Sequence, residues 1–185
     1  MRSYITLKRP KSLGIGLHLH WSALLGAGVL FGALMRQPVH AALAVSSYFA
    51  LIVLHELGHA LMARRLGYDT TGIYIGLFHG MCEYDSAHYL REEATIAWGG
   101  VLLQLAIALP LIVLAQTTPL GANPYFSIVA AILGPFSLLI AAFNLLPVPG
   151  LDGELAWRLV PMLWRDARDR HFAGRPAKVA LRRVK

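Results

Sequence analysis

The sequence predicts an all-α polytopic membrane protein, and three observations lead there. Of its 185 residues, 56% are hydrophobic and only 15% charged, against roughly a quarter charged in water-soluble domains. Mean hydropathy is +0.54. Four apolar stretches each reach the ~20 residues that a helix needs to cross a bilayer. The basic residues gather beyond the ends of those stretches rather than within them.

The first stretch, residues 13–35, holds no Asp, Glu, Lys or Arg. It is too long for the apolar region of a secretory signal, and no small-residue cleavage pattern closes it, so it reads as an uncleaved first helix. The second, 41–63, carries one acid, Glu56, and the third and fourth, 94–116 and 125–146, carry no formal charge. About four transmembrane helices follow. Pro38 breaks the short first loop. Between helices two and three, Gly72, Gly76 and Gly80 punctuate short runs of Ile, Tyr, Leu and Phe. That pattern predicts a small membrane-associated β-hairpin over 72–84. After helix four comes a Pro- and Gly-rich segment, 144–153, then an amphipathic helix over 154–164 and a basic tail over 165–185. No internal repeat divides the chain, which reads as a single domain over 1–185.

With four spans, sixteen of the seventeen Lys and Arg residues fall on one side, and only Arg36 falls on the other. This positive-inside pattern predicts a multi-pass protein of a cell membrane, a prokaryotic plasma or inner membrane, with both termini cytoplasmic. The net charge of +7 is therefore a topology signal and calls for no nucleic-acid partner. The basic tail suits contact with anionic lipid of the bilayer. A single cysteine, Cys82, excludes an intramolecular disulfide and a cysteine-based metal site. Nothing in the composition speaks to oligomeric state.

The chemistry concentrates in helix two, at His55-Glu56-Leu57-Gly58-His59. Residues four apart lie one turn apart on a helix face, so both imidazoles can reach one metal ion. Glu56 beside them can hold a metal-bound water. Two histidines and a carboxylate inside an apolar span are costly unless something compensates, and a metal does so. A catalytic zinc takes three protein ligands plus water. Asp152 is a candidate for the third, because Pro147, Pro149, Gly150 and Gly153 break the helix around it, and irregular backbone at membrane depth belongs beside protein or a wet cavity. The other reading of Asp152 is a helix N-cap at an interfacial turn. His18 and His20, two apart, share no helix face and fit an interfacial belt with Trp21. His40, His88 and His171 read as surface residues, Cys82 as a half-buried cysteine, and Gly99 and Gly100 as close helix packing.

At HELGH (55–59) continued by ALMARRLG, and at FNLLPVPGLDG (143–153), the chain resembles the site-2 protease family of intramembrane zinc metalloproteases, the M50 type. The resemblance extends to HLHWSALLG near 18–26 and to the hairpin glycines, and so covers most of the chain. It implies one zinc ion per chain held by His55, His59 and Asp152, with Glu56 as catalytic base and Asn144 positioning substrate or stabilising the oxyanion. It also implies a core of three helices, here the second to fourth. Two departures bear on substrate fit. Ala97-Trp98-Gly99-Gly100 stands where relatives often have Ala-Gly-Pro, and His79 stands where they often have glycine. The form is compact, with no room for the PDZ or CBS domain that many relatives carry.

The expected function is zinc-dependent intramembrane endopeptidase action on a membrane-anchored protein with a transmembrane helix, as in regulated intramembrane proteolysis. Two alternatives use the same residues: a membrane metal-binding or transport protein, and a family member that binds membrane helices without cleaving them. A transporter would spread polar groups along several helices, whereas here they lie at one depth.

Overall fold

The structure, a computed structural model, describes residues 4–7, 14–77 and 79–173. Two strands, β1 (Tyr4–Leu7) and β2 (Gly16–His20), precede the helix α1 (Trp21–Ala33). The long helix α2 (Pro38–Arg65) leads into the hairpin β3 (Thr70–Ile75) and β4 (Gly80–Tyr84), and α3 (Leu90–Thr117) follows. Then come α4 (Pro124–Ala131), a π turn over Ile132–Phe136, α5 (Ser137–Asn144), α6 (Asp152–Ala156) and α7 (Leu159–Ala173).

Among the described residues, three helical units are long and apolar enough to cross a membrane: α2, α3 and the α4–α5 unit, Pro124–Asn144. A fourth span, expected from the sequence, is not among them. The predicted first span, 13–35, divides into β2 and a helix of 13 residues, only about 20 Å long at 1.5 Å per residue. The reason lies in Gly16-Leu17-His18-Leu19-His20, whose alternation suits a strand that packs one face. His18 and His20 therefore do share a face, because a strand repeats every two residues, and the helix-based expectation fails there. His18 stacks on Tyr74 at 4.5 Å between ring centroids, and His20 meets Tyr4 edge-on at 5.0 Å.

The predicted hairpin is present, as the outer half of a four-stranded sheet ordered β1-β2-β3-β4, with β2 and β3 parallel and the other pairs antiparallel. One face of this sheet packs on α2: Ile15, Ile73 and Ile75 bury with Ile52 and Ala60, flanked by Leu17, Leu19 and Cys82. The Tyr48 hydroxyl donates to the Leu77 carbonyl at 2.9 Å and the Thr70 hydroxyl to the Ala60 carbonyl at 3.4 Å. The hairpin thus lies along α2 from residue 60 back to residue 48, about 18 Å of helix.

Helix ends follow local rules. Pro38 opens α2, and Arg64 and Arg65 close it, where cations favour the carbonyl end of the helix dipole. Gly67 then turns the chain at φ +92°, a left-handed conformation that suits glycine. Asn123 caps α4, accepting from the amides of Tyr125 at 2.9 Å and Phe126 at 3.2 Å. Pro135 lacks an amide proton and Gly134 leaves helical geometry (φ −96°, ψ −105°), which gives the bend between α4 and α5. The amphipathic segment expected over 154–164 is instead two helices, α6 and α7. The tail beyond Ala173 lies outside the described residues.

Candidate metal centre

The centre begins with the crossing of α2 and α3. A Cβ at Gly58 would collide with the Gly99 carbonyl, and one at Gly99 with the Gly58 carbonyl. Only glycine lets the backbones approach so closely, as small residues do in membrane packing. A Cβ at Gly100 would lie 2.6 Å from both His55 Cε1 and His59 Nε2. The missing side chain of Gly100 is the space that the two rings occupy. Ile96, Gly100 and Gln104 recur every four residues, so they form one stripe of α3 facing His55 and His59.

That stripe orients both rings. His59 Nδ1 donates to the Ile96 carbonyl at 2.9 Å. A carbonyl only accepts, so Nδ1 holds the ring proton and Nε2 presents a bare lone pair. His55 Nδ1 lies 2.9 Å from Gln104 Oε1. The two Nε2 atoms approach to 3.1 Å. Asp152 Oδ2 lies 2.9 Å from His55 Nε2 and 3.3 Å from His59 Nε2, and no hydrogen-bond donor satisfies it. Asp152 is the first residue of α6, and its side chain makes no capping bond. Of its two sequence readings, the structure favours the ligand over the cap.

His59 Nε2 and Asp152 Oδ2 are acceptors aimed at one point, with His55 Nε2 facing it too; like acceptors repel one another, and a cation between them reverses the sign. Ligands ~2.0–2.1 Å from a tetrahedral zinc lie roughly 3.3 Å from one another, close to the separations observed. The residues therefore fit a His₂Asp metal site. Among the described residues no other trio of His, Cys, Asp or Glu gathers in this way.

The rest of the predicted site converges here. Glu56 is 6% exposed, and its carboxyl lies against Gly80 of β4, where a Cβ would come within 2.6 Å of Oε1. Asn144 ends α5 with its amide nitrogen 3.3 Å from His55 Nε2. A cavity of about 560 Å³ opens over these groups, walled by Leu51, Met81, Ile140, Phe143 and Leu155. His79 and Cys82 line it too. Burial, with the Glu56 carboxylate adding to it, pushes the Cys82 thiol up to about 12.

Asp152 is fixed from behind. The Trp98 indole donates to the Ala156 carbonyl at 2.9 Å, and the Trp157 indole to the Leu145 carbonyl at 2.6 Å. The two indoles meet edge to face at 5.6 Å. Trp98 thus clamps α6 to α3. Gln104 and Trp98 both escaped the sequence reading, the first because it is uncharged and the second because it read only as a departure. The four-residue spacing of Gln104 from Gly100 and Ile96 was the available signal. His40 and His88, read as surface residues, have partners: His40 packs on Tyr125 at 5.4 Å between ring centroids, and His88 Nδ1 lies 3.0 Å from the Tyr68 hydroxyl.

No protein-family model matches the chain, but individual relatives do. A Mycobacterium tuberculosis protein bearing a zinc metalloprotease name, Rip3, is 35% identical over 159 residues, covering 84% of this chain and 35% of that protein. Another bearing such a name, MJ0611 of Methanocaldococcus jannaschii, is 30% identical over 141 residues, covering 66% of this chain and 71% of that protein. The solved site-2 protease from Methanocaldococcus jannaschii aligns with a TM-score of 0.67 at 25% identity, over 85% of this chain and 71% of that one. The chain spans 30% to 44% of the length of the first curated relatives it matches.

Proposed function

Because this chain belongs to the site-2 protease family of zinc metalloproteases, we propose that it is an intramembrane zinc endopeptidase that hydrolyses a peptide bond in or near the transmembrane segment of a membrane-anchored protein. The observation that supports this most is the convergence of His55 and His59, on a helix apolar and long enough to cross a bilayer, with Asp152 Oδ2 from α6, and with the buried Glu56 carboxylate beside them.

His55, His59 and Asp152 would hold one zinc ion, which when bound would supply Lewis acidity to polarise a carbonyl and acidify water. Glu56 takes a proton from the attacking water and returns it to the leaving amine. The Asn144 amide donates toward the developing oxyanion. A helical substrate hides its carbonyls in internal hydrogen bonds, so it must unwind locally before attack. Strand β4 pairs only with β3 in the described sheet, and its other edge lies along the cavity. That edge receives the extended segment by strand addition. The protein is multi-pass in a cell membrane with the sheet side cytoplasmic, as the basic residues indicate. The polar groups lie at one depth rather than along a path, which favours this reading over metal transport.

The test is cleavage of a panel of single-span membrane substrates by wild type and Glu56→Ala. Cleavage that persists unchanged in the variant sinks the mechanism. By elemental analysis His55→Ala and Asp152→Ala lose bound zinc; full retention means that the ligands are misassigned.

A further inference from the structure

We infer that Gln104 is a positioning residue of the metal centre: its side-chain carbonyl accepts the Nδ1 proton of His55 and so presents the Nε2 lone pair to the metal. The inference rests on the zinc reading above.

Gln104 is 2% exposed and sits in the middle of α3. Its amide nitrogen is buried with no hydrogen-bond partner. The contact from Oε1 to His55 Nδ1, 2.9 Å long, is thus the polar interaction that burial leaves to this side chain. A buried amide half unsatisfied is destabilising, and Leu or Met would fill the volume without that penalty. Packing therefore gives no reason for glutamine here, whereas the histidine does.

Asn144 and the metal reading together set which way the amide faces. Were its nitrogen turned toward His55, Nδ1 would be the acceptor and Nε2 would carry the proton. That proton would face the Asn144 amide nitrogen, a donor at 3.3 Å; it could go to Asp152 Oδ2 at 2.9 Å, but Nε2 would then have no lone pair for a metal. With the carbonyl toward His55, Nε2 is bare, Asn144 can donate to it, and it matches His59, whose tautomer the Ile96 carbonyl fixes independently. The partners of ligand histidines act in this way, and losing one typically weakens metal binding by about 10–100-fold.

The experiment measures zinc affinity of the purified full chain in detergent by chelator competition. It compares wild type with Gln104→Met, Gln104→Glu and His55→Ala, and records the melting temperature of each zinc-free chain. Gln104→Met, which lacks an acceptor, binds zinc about 10–100-fold more weakly, while its zinc-free melting temperature does not fall. Gln104→Glu keeps an acceptor and restores affinity and the visible spectrum of the Co²⁺-loaded chain. Gln104→Leu replaces the Met variant should that fail to fold. Unchanged affinity in Gln104→Met overturns the inference. Equal loss in the Met and Glu variants also overturns it, because it reports packing. Failure of wild type to bind zinc, or undiminished binding by His55→Ala, refutes the metal reading itself.

Discussion

At the scale of single residues, the division of labour proposed between Glu56 and the three candidate ligands makes separable predictions. Glu56 lies beside the acceptor trio without joining it. Glu56→Gln should lower cleavage rate by about 10²–10⁴-fold, the usual contribution of a general base, while zinc content by elemental analysis stays at the wild-type level. Cys82 gives a second test. With its thiol pushed up to about 12, the thiolate at pH 8 is about one part in 10⁴. Iodoacetamide at pH 8 should leave the native chain unmodified by mass spectrometry and alkylate the denatured one, whose thiol returns to ~8.5. The sign matters: reactivity of the native thiol appears only as pH climbs towards 12. Fast native alkylation would show a thiol activated rather than suppressed by its surroundings.

At the scale of elements, the site depends on how closely α2 and α3 approach. Gly58→Ala should separate them and cost about 1–3 kcal/mol as overpacking against backbone, read as a lower melting temperature in detergent. Trp98→Phe keeps the ring but loses the bond to the Ala156 carbonyl. It should cost about 1 kcal/mol and weaken zinc binding, since α6 carries Asp152. Helix α2 was legible in sequence because its apolar run, its i, i+4 histidines and its single acid all point one way. Asp152 was legible because its glycines and prolines announce a broken helix. The sheet was half legible. Glycine spacing marks β3 and β4, but the parallel pairing of β2 with β3 joins residues 56 positions apart (72 − 16 = 56), and no local pattern encodes that. The first span was misread because hydropathy counts apolar residues without separating a period of two from one of 3.6. Gln104 shows the converse limit: an uncharged side chain becomes conspicuous only when its neighbours are known.

At the scale of the whole molecule, the pairing of β2 with β3 brings the segment before α1 beside the segment after α2, although α1 is too short to cross a bilayer by itself. The loop before α2 and the loop before α4 then lie at one end, and the loop before α3 and the α6–α7 region at the other. In intact cells, cysteines placed by Gln37→Cys and Asn123→Cys should react with an impermeant maleimide. Those placed by Ser86→Cys and Asp169→Cys should react only after permeabilisation; the reverse pattern would invert the orientation. The two-part construction of the metal site also bears on how the protein is made. Two of the proposed ligands stand on α2 and the third follows ninety-three positions later (152 − 59 = 93). A ribosome that has released α2 and α3 into the bilayer has produced the imidazole pair and Glu56, but not the Asp152 carboxylate that would complete the proposed ligand set. The last spanning unit must emerge before the site can be completed. On the function proposed above, a cell therefore inserts α2 and α3 of this chain among its other nascent membrane proteins as an inert object, and competence waits for the segment that carries Asp152.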